Sequence, residues 1–188
     1  MPINFLFDLI APLYDRLISP SEPEKIIELL DLPTEGILLD AGGGTGRVAA
    51  HLHPYAGQVM LSDLSLSMLK EAQSKPISGV VQSFSHTLPF PDGSFDRILV
   101  VDAMHHFEDQ PGVIKDLLRV LKPGGRLLIE EPDIRQIRAK IIKVMEKLLL
   151  MKSKFLTPEE LKSLAESHSG TARIVEDGHF TAWVVVVK

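Results

Sequence analysis

The stretch LLDAGGGTGRVAAHL, from Leu38 to Leu52, decides the fold of this chain. Two leucines and an aspartate lead into a run of glycines, and a helix-like pattern follows directly. A buried strand, a glycine turn and a helix in that order are typical of α/β units that hold nucleotide-like ligands. Because several ligands use such turns, the spacing of the glycines has to identify the one that binds here.

Strand-like and helix-like segments alternate around this turn, which predicts an α/β domain with a mainly parallel sheet. The terminal stretch TARIVEDGHFTAWVVVVK has a hairpin signal at Asp177-Gly178, and so tight a turn must join antiparallel strands. The residues KPGG at 122–125 are expected to end the helix before them. Predicted strands lie at 36–40, 58–63, 79–84, 95–102 and 126–131, and predicted helices at 24–32, 45–53, 65–73, 111–121 and 134–152, with another from Thr157.

Length and composition favour one globular domain. The chain has 188 residues, 45% of them hydrophobic, and a formal net charge of -5. A nucleic-acid binder usually has a basic excess, so the acidic balance argues against that class. The lack of cysteine excludes disulfides, thiolate metal sites and a cysteine nucleophile. The N-terminal stretch has no basic start of a signal peptide and no apolar run is long enough to cross a membrane, so a cytoplasmic protein is expected.

The glycine spacing discriminates between three kinds of ligand. A dinucleotide-binding turn has the pattern G-x-G-x-x-G, but counting from Gly42 puts Arg47 where the third glycine belongs. A phosphate-binding Walker A loop needs a lysine after its last glycine, and no lysine lies near this turn. The pattern that does occur is D-x-G-x-G-x-G, formed by Asp40, Gly42, Gly44 and Gly46.

This pattern resembles the first motif of class I S-adenosylmethionine-dependent methyltransferases. The resemblance implies a Rossmann-like, doubly wound sheet of seven mainly parallel strands, with the last strand antiparallel and helices on both faces. It also implies S-adenosylmethionine as the cofactor and S-adenosylhomocysteine as its product. Asp40 would then balance the ammonium of the cofactor, and N–H groups at the helix start would favour its carboxylate. The cofactor-binding residues of this motif would be Asp40, Ala41, Gly42, Gly44 and Gly46.

The second predicted strand also ends in an acidic residue. In open α/β sheets, an acid at this place hydrogen-bonds the ribose hydroxyls. The segment VMLSDLSLSMLKEA resembles the corresponding part of the family, with Asp63 as the ribose ligand and Leu64 beside it. The alternative is that Asp63 only caps the following helix, although Ser65 is available as the N-cap.

Two further stretches resemble the small-molecule subgroup of the family, which includes ubiquinone/menaquinone-type methyltransferases. They are LPFPDGSFDRILVVDAMHHFED and LLRVLKPGGRLLIEEP, so the resemblance covers roughly 36–132. Members of the subgroup often place an acid before the LPF segment, where it contacts the adenine amino group. Here the stretch is VQSFSHTLPF, so adenine recognition is expected to use backbone groups, Ser83 and packing by Phe84.

By this resemblance, residues 1–188 form a single methyltransferase domain. The N-terminal helices and the region from Ile134 to Glu166 are expected to form the acceptor pocket. Tyr14 lies in a segment similar to the family's lid helix and would cover the methionine end of the cofactor, or else is a core tyrosine. The parts of the domain are cap helices at 1–32, a cofactor-binding core at 36–132, a helical segment at 133–168 and a terminal hairpin at 171–188.

Candidate catalytic residues follow the fourth and fifth predicted strands, because ligands in such sheets bind beyond the carboxyl ends of the strands. Methyl transfer from a sulfonium is an in-line displacement, and it needs a base only where the nucleophile is protonated. Asp102 ends the fourth strand near the cofactor, and His105, His106 and Glu131 are candidate bases or substrate ligands. The alternative for each histidine is packing or helix capping. Adjacent histidines with no third ligand predict no metal site.

The segment from Ile134 to Lys152 is basic and amphipathic in an acidic protein. It predicts either a sheet-packing helix with a solvated face, or peripheral contact with an anionic membrane or a lipid-like substrate. The sequence as a whole predicts methyl transfer to a small-molecule acceptor, which an apolar or lipid-like compound would fit, and no nucleic-acid partner. A NAD-type oxidoreductase and a non-catalytic S-adenosylmethionine-binding regulatory protein are the alternatives.

Overall fold

The computed structural model describes residues 22–84, 86–135, 153–168, 170–178 and 180–188. Within these ranges the strands form one seven-stranded sheet. Its first five strands pair in parallel, and the last strand lies antiparallel between the fifth and the sixth. This confirms the predicted Rossmann-like sheet. The strands are β1 (Thr34–Ala41), β2 (Ala56–Asp63), β3 (Gly79–Gln82), β4 (Phe95–Val101), β5 (Leu121–Pro132), β6 (Thr171–Glu176) and β7 (Thr181–Val187), in the order β3-β2-β1-β4-β5-β7-β6.

Helices cover both faces of this sheet. One face packs against α1 (Pro23–Leu30), α2 (Arg47–Leu52) and α3 (Leu66–Ala72), and the other against α4 (Gln110–Val120) and α5 (Pro158–Glu166). None of the helices in the described ranges combines the length and the hydropathy needed to cross a membrane. The two faces therefore contain two separate apolar cores, which hold the carboxyl ends of β1, β4 and β5 in fixed positions.

The period-two alternation of the central strands assigns each side chain to one of these cores. Leu38 and Leu99 pack on the side of α1 and α2, whereas their chain neighbours Leu39 and Ile98 pack on the side of α4. The same rule sends consecutive residues at the end of a strand to opposite faces. It therefore decides which polar residues can meet at the sheet edge.

Local capping signals were predicted well. The Ser65 side chain accepts the backbone N–H of Met68 at 3.2 Å and begins α3. Thr157 and Glu160 form a capping box at the start of α5, as the sequence pattern predicts. The hairpin between β6 and β7 is confirmed, with Gly178 in the left-handed region at φ 75°.

Two predicted elements differ from the structure, and a third lies mostly outside the described residues. The helix expected at 45–53 begins only at Arg47, because Gly46 takes a left-handed backbone at φ 75°. The KPGG residues belong to β5, where a register shift relative to β4 absorbs them, so that the strand follows Val120 directly. The helix expected at 134–152 falls mostly outside the described residues, and the described Ile134 and Arg135 lie in a turn.

Candidate functional site

The glycine turn follows β1 at the carboxyl edge of the sheet. The N–H of Gly42 donates to the carbonyl of Ser62 at 2.8 Å, which fastens the turn to β2. Gly42, Gly44 and Gly46 have φ values of 75°, 55° and 75°. All three lie in the left-handed backbone region, which residues other than glycine rarely adopt. The alternating glycines are therefore required by the shape of this turn.

The space around these glycines differs from one to the next. A Cβ added at Gly42 would approach the Cβ of Ala103 to 2.9 Å, and one added at Gly46 would clash with the side chain of Ile77. Among the described residues, a Cβ added at Gly44 would have only the Met68 sulfur within 4 Å, at 3.9 Å. The backbone at Gly44 is thus the part of the turn with room beside it, as close approach of a ligand requires.

Asp63 joins the glycine turn to the start of α3. One of its carboxylate oxygens accepts the N–H of Gly44 at 2.9 Å, and the other accepts the N–H of Ser65 at 2.8 Å. A carboxylate oxygen can accept more than one hydrogen bond, as contact with the hydroxyl groups of a ligand would require. The bond to Gly44 is a feature that sequence analysis missed, because nothing in the spacing indicates which N–H the side chain reaches.

Asp40 lies beneath the glycine turn and not at the open edge. Its side chain faces Gly43 and Leu61 and is only 2% exposed. Its Oδ2 atom has no hydrogen-bond partner among the residues described. Burial raises the pKa of the Asp40 carboxyl to about 7, and the negative charge of Asp63 adds to the shift. The predicted contact between Asp40 and a ligand's ammonium stays a prediction.

Ser83 and Phe84 follow β3 beside this turn. The Ser83 N–H donates to the carbonyl of Asp63 at 3.1 Å, and its buried hydroxyl has no hydrogen-bond partner within the described part of the chain. Phe84 is 57% exposed, which is unusual for a phenylalanine. The carbonyl of Leu64 accepts the side-chain amide of Gln82 at 2.9 Å. A polar group and an aromatic face are therefore available where an adenine ring was predicted.

Asp102, at the end of β4, has a strained backbone. Its φ is 50°, and its N–H donates to the carbonyl of Glu130 at 3.0 Å. A left-handed conformation of a residue other than glycine costs on the order of 1–3 kcal/mol and is often found at functional sites. The strain supports the predicted place of Asp102 near the ligand.

His105 and Glu131, two of the predicted catalytic residues, form a buried pair. One Glu131 oxygen accepts the N–H of Met104 at 2.7 Å, and the other contacts Nδ1 of His105. The His105 ring stacks on Phe155 with centroids 4.3 Å apart and an interplanar angle of 11°. His105 is 4% exposed and Glu131 is 6% exposed. Because both Glu131 oxygens are engaged by other groups of the protein, the pair favours a positioning role over direct contact with a substrate.

The pair fastens a segment that we call the strap, residues 153–157. The N–H of Lys154 donates to the carbonyl of His105 at 2.8 Å, and the side-chain amide of Gln110 donates to the carbonyl of Lys154 at 2.6 Å. Nδ1 of His106 lies 3.3 Å from the hydroxyl of Ser153, and His106 is half-buried. Sequence analysis missed the strap, because its contacts join residues far apart in the chain.

Sequence analysis also left Glu130 out of the site. The indole N–H of Trp183 donates to its Oε2 at 2.8 Å, and the residue is 5% exposed. Burial raises the pKa of Glu130 to about 7, and the charge of Asp102 raises it further while the indole hydrogen bond opposes the shift. The signal that could have found it is strand alternation, which sends Glu130 and Glu131 to opposite faces of the sheet.

Two sequence predictions have limited structural coverage. Tyr14 lies outside the described residues. In the ranges that the structure describes, no three side chains of His, Cys, Asp or Glu converge as a metal site would require.

Comparisons with known proteins agree with this geometry. Residues 39–129 match the family model described as a methyltransferase domain. The chain is similar to the ubiquinone/menaquinone biosynthesis C-methyltransferase UbiE of Shewanella sediminis, with 43% identity over 104 residues, which are 50% of this chain and 41% of the relative. Identity to UbiE of Pseudomonas fluorescens is 39% over 115 residues, covering 56% of this chain and 45% of that protein. The chain thus spans less than half the length of these relatives.

Solved structures share the fold. An S-adenosylmethionine-dependent methyltransferase of Thermotoga maritima, described as a possible histamine N-methyltransferase, has a TM-score of 0.82 at 20% identity, with 98% of each chain covered. Phosphoethanolamine N-methyltransferase 2 of Haemonchus contortus, solved with S-adenosylmethionine, has a TM-score of 0.74 at 19% identity, covering 89% of this chain and 52% of that one. At these identities the likeness concerns the fold alone.

Proposed function

We infer that this chain, whose residues 39–129 match the family model described as a methyltransferase domain, transfers a methyl group from S-adenosylmethionine to a small molecule. The observation that carries the proposal is the position of Asp63. Its carboxylate is fixed by the N–H groups of Gly44 and Ser65, and Gly44 is the glycine of the turn with the most space beside it within the described part of the chain. In this arrangement the Asp63 carboxylate matches the two hydroxyl groups of a ribose. The backbone of the glycine turn matches the sulfonium amino acid next to that ribose.

The residues present fit the remaining parts of the cofactor. The buried hydroxyl of Ser83 and the exposed ring of Phe84 offer a hydrogen bond and a flat apolar surface for adenine. The turn from Gly42 to Gly46 offers a closely approachable backbone for the methionine part. When bound, S-adenosylmethionine supplies an electrophilic methyl group on a sulfonium. The family match supports this cofactor over the NAD-type alternative.

The chain's own residues then have to position the acceptor and exclude water. The ends of β4 and β5 supply Asp102, Glu130 and Glu131, and the strap is fastened beside them. Holding two reactants in the right geometry is worth roughly 7–11 kcal/mol in favourable cases, so positioning is the main requirement for this chemistry. In this proposal His105 and Glu131 hold the strap, and half-buried His106 faces the acceptor.

For the acceptor, we propose a small hydroquinone-like ring. The UbiE relatives are named for C-methylation in ubiquinone and menaquinone biosynthesis, and identity to them reaches 43% over the matched region. An apolar acceptor of this kind agrees with the prediction of a lipid-like substrate. A cytoplasmic location stays a prediction from the sequence.

Peripheral membrane contact by the basic segment also stays a prediction. Arg135, its first described cation, donates to Asp133, Glu159 and Glu176 at 2.8, 2.7 and 2.6 Å. Its charge is therefore balanced within the fold. The other basic residues of the segment lie outside the described ranges, apart from Lys154 in the strap.

The test is formation of S-adenosylhomocysteine from S-adenosylmethionine with 1,4-naphthohydroquinone, kept reduced, as the acceptor. Asp63→Ala should weaken S-adenosylhomocysteine binding at least 30-fold by calorimetry, since a charged hydrogen-bond acceptor is lost. Asp92→Ala is the matched control, because Asp92 is an exposed acid in a surface ion pair with Arg119. Its affinity should stay within twofold of the wild type.

A comparison of ligands by thermal unfolding can contradict the proposed function. A ligand that binds only the folded chain raises the melting temperature. S-adenosylhomocysteine at a large excess should raise it by several degrees, and NAD should leave it unchanged. Stabilisation by NAD with no effect of S-adenosylhomocysteine would contradict the proposed function.

A further inference from the structure

Glu130 lies level with the glycine turn, two strands away from it. Asp40 of β1 pairs with Leu99 of β4, and Leu99 pairs with Leu128 of β5. Two residues further along each strand come Gly42, Val101 and Glu130. Adjacent strands are about 4.8 Å apart, so the backbone of Glu130 lies on the order of 10 Å from the turn. Glu130 and the glycine turn therefore lie at the same edge of the sheet.

The carboxyl of Glu130 is fixed in orientation but only half engaged. Oε2 accepts the indole N–H of Trp183, whereas Oε1 has no hydrogen-bond partner among the residues that the structure describes. Glu131 is the contrasting neighbour, because both of its oxygens are engaged by Met104 and His105. Of the two acids that end β5, Glu130 is the one with an oxygen available to a ligand.

Burial has the largest influence on the charge of Glu130 and favours the protonated carboxyl, and four neighbouring groups modify this effect. Asp102 at the end of β4 and Glu22 before α1 are negative and favour the protonated carboxyl. Arg47 at the start of α2 and the indole N–H of Trp183 on β7 favour the carboxylate. With burial, the result is a pKa of about 7. An acid with such a pKa is half ionised at neutral pH, which suits proton transfer.

We propose that Glu130 is a catalytic carboxylate of the acceptor pocket, and that the methyl acceptor is a molecule whose nucleophilic centre must lose a proton. This inference rests on the proposed methyltransferase function. A hydroxyl, an amine or a ring carbon activated by a phenol belongs to this acceptor class, whereas a thioether does not.

The step balances in atoms and electrons. The nucleophile's electron pair forms the bond to the methyl carbon, and the pair of the carbon–sulfur bond goes to sulfur, which becomes a neutral thioether. The proton released by the acceptor moves to Oε1 of Glu130 and later exchanges with water. No oxidant, reductant or metal ion takes part.

The test compares the wild type with Glu130→Gln and Trp183→Phe, using 1,4-naphthohydroquinone and histamine as separate acceptors. Glu130→Gln keeps the size and the hydrogen bond from Trp183 but cannot take a proton. With the acceptor that the wild type methylates, it should lower kcat at least 100-fold, within the usual range for loss of a general base. Its Kd for S-adenosylhomocysteine should stay within threefold, which also shows that the variant is folded.

Trp183→Phe separates a catalytic from a structural role. The indole hydrogen bond favours the carboxylate, so its loss raises the pKa of Glu130. Wild-type kcat should rise with pH through about 7, and in Trp183→Phe that rise should move to higher pH. A merely structural defect would lower kcat without moving the profile.

The outcomes are distinct. A Glu130→Gln enzyme whose kcat stays within threefold of the wild type, or a Trp183→Phe profile that does not move, overturns the role of Glu130 and leaves the methyltransferase function standing. A wild-type chain that forms no S-adenosylhomocysteine with either acceptor overturns the proposed function, and the role of Glu130 with it.

Discussion

The cofactor half of the molecule, residues 38–84, and the acceptor half, the ends of β4 and β5 with the strap and β7, are built in different ways. In the cofactor half, Asp63 reaches N–H groups 2 and 19 residues away in sequence. In the acceptor half, Glu131 reaches across 26 residues, Gln110 across 44 and Trp183 across 53. The shape of the cofactor half therefore depends mostly on its backbone, whereas the acceptor half is held by side-chain contacts between residues far apart in the sequence.

The family match covers residues 39–84 of the cofactor half and the end of β4 in the acceptor half. The family match ends at residue 129, one position before Glu130. The matched region therefore includes the glycine turn and Asp63, while Glu130, Glu131 and the strap lie beyond it. This difference teaches that the donor of the methyl group can be inferred from a contiguous motif, whereas the acceptor has to be inferred from contacts in the folded chain.

The largest expected effect comes from breaking the acceptor half at Glu131. Glu131→Leu would leave the N–H of Met104 and the ring of His105 without their buried acceptor. Removing one partner of a buried pair costs about 3–5 kcal/mol, so urea unfolding should show a loss of about that size. Hydrogen exchange in the strap should accelerate more than exchange in α2.

Glu131→Gln is the conservative control for this variant. It keeps two side-chain polar atoms and should recover at least half of the lost free energy of unfolding. S-adenosylhomocysteine affinity of Glu131→Gln within threefold of the wild type would sharpen the division between the halves. A cofactor affinity that falls as far as the stability would show that the halves are not separate.

The next effect comes from breaking the cofactor half at Gly42. Gly42→Ala puts a side chain in the left-handed region and within 2.9 Å of Ala103, so S-adenosylhomocysteine binding should weaken about 100-fold. Gly178→Ala is the matched control, because its φ is also 75° but no atom of the described residues lies within 4 Å of the added carbon. The control should lose about 1–2 kcal/mol of stability and no affinity. Equal affinities in the two variants would be evidence against the proposed cofactor site.

The sequence predicts the cofactor half and the sheet well for a physical reason. Glycine turns, the N-cap at Ser65 and strand periodicity are local signals, and the structure has the elements they predict. The acceptor half could not be predicted in the same way. Adjacent acids at 130 and 131 look equivalent in sequence, and only the pleat of β5 sends one toward Trp183 and the other toward His105.

A smaller effect is expected from pH. The folded-state pKa of Asp40 is about 7, well above its ordinary value of 3.8. The folded chain therefore binds the proton more tightly, so the contribution to stability is complete below pH 3.8 and is lost as pH rises through 7. Between pH 5 and pH 8, the free energy of unfolding of the wild type should fall by about 2 kcal/mol more than that of Asp40→Asn, measured by urea unfolding.

The same experiment carries its own contrary result. A stability difference between wild type and Asp40→Asn that is independent of pH would mean that Asp40 is ionised beneath the turn. In that case a neighbouring cation would have to balance the carboxylate. Arg47 is the candidate, because its charge lowers the pKa of Asp40.

The smallest effect is expected at Arg135, which joins the end of β5 to α5 and β6 through Asp133, Glu159 and Glu176. Arg135→Lys loses the forked geometry of the guanidinium, but most of these groups are partly exposed, so unfolding free energy should fall by less than about 1 kcal/mol. The loss should shrink further in 0.5 M salt, roughly as surface ion pairs are screened. If Arg135→Lys lost as much free energy of unfolding as Glu131→Leu, this ion cluster would contribute as much to stability as the His105–Glu131 pair, which would contradict the prediction.

The most direct measurement of the central claim is a crystal structure of the chain with S-adenosylhomocysteine. The account predicts ribose hydroxyls within about 3 Å of the Asp63 carboxylate, the amino-acid part along the glycine turn, and the sulfur facing the side of the sheet where Asp102 and Glu130 lie. A ribose held elsewhere, with Asp63 bonded only to Gly44 and Ser65, would contradict it.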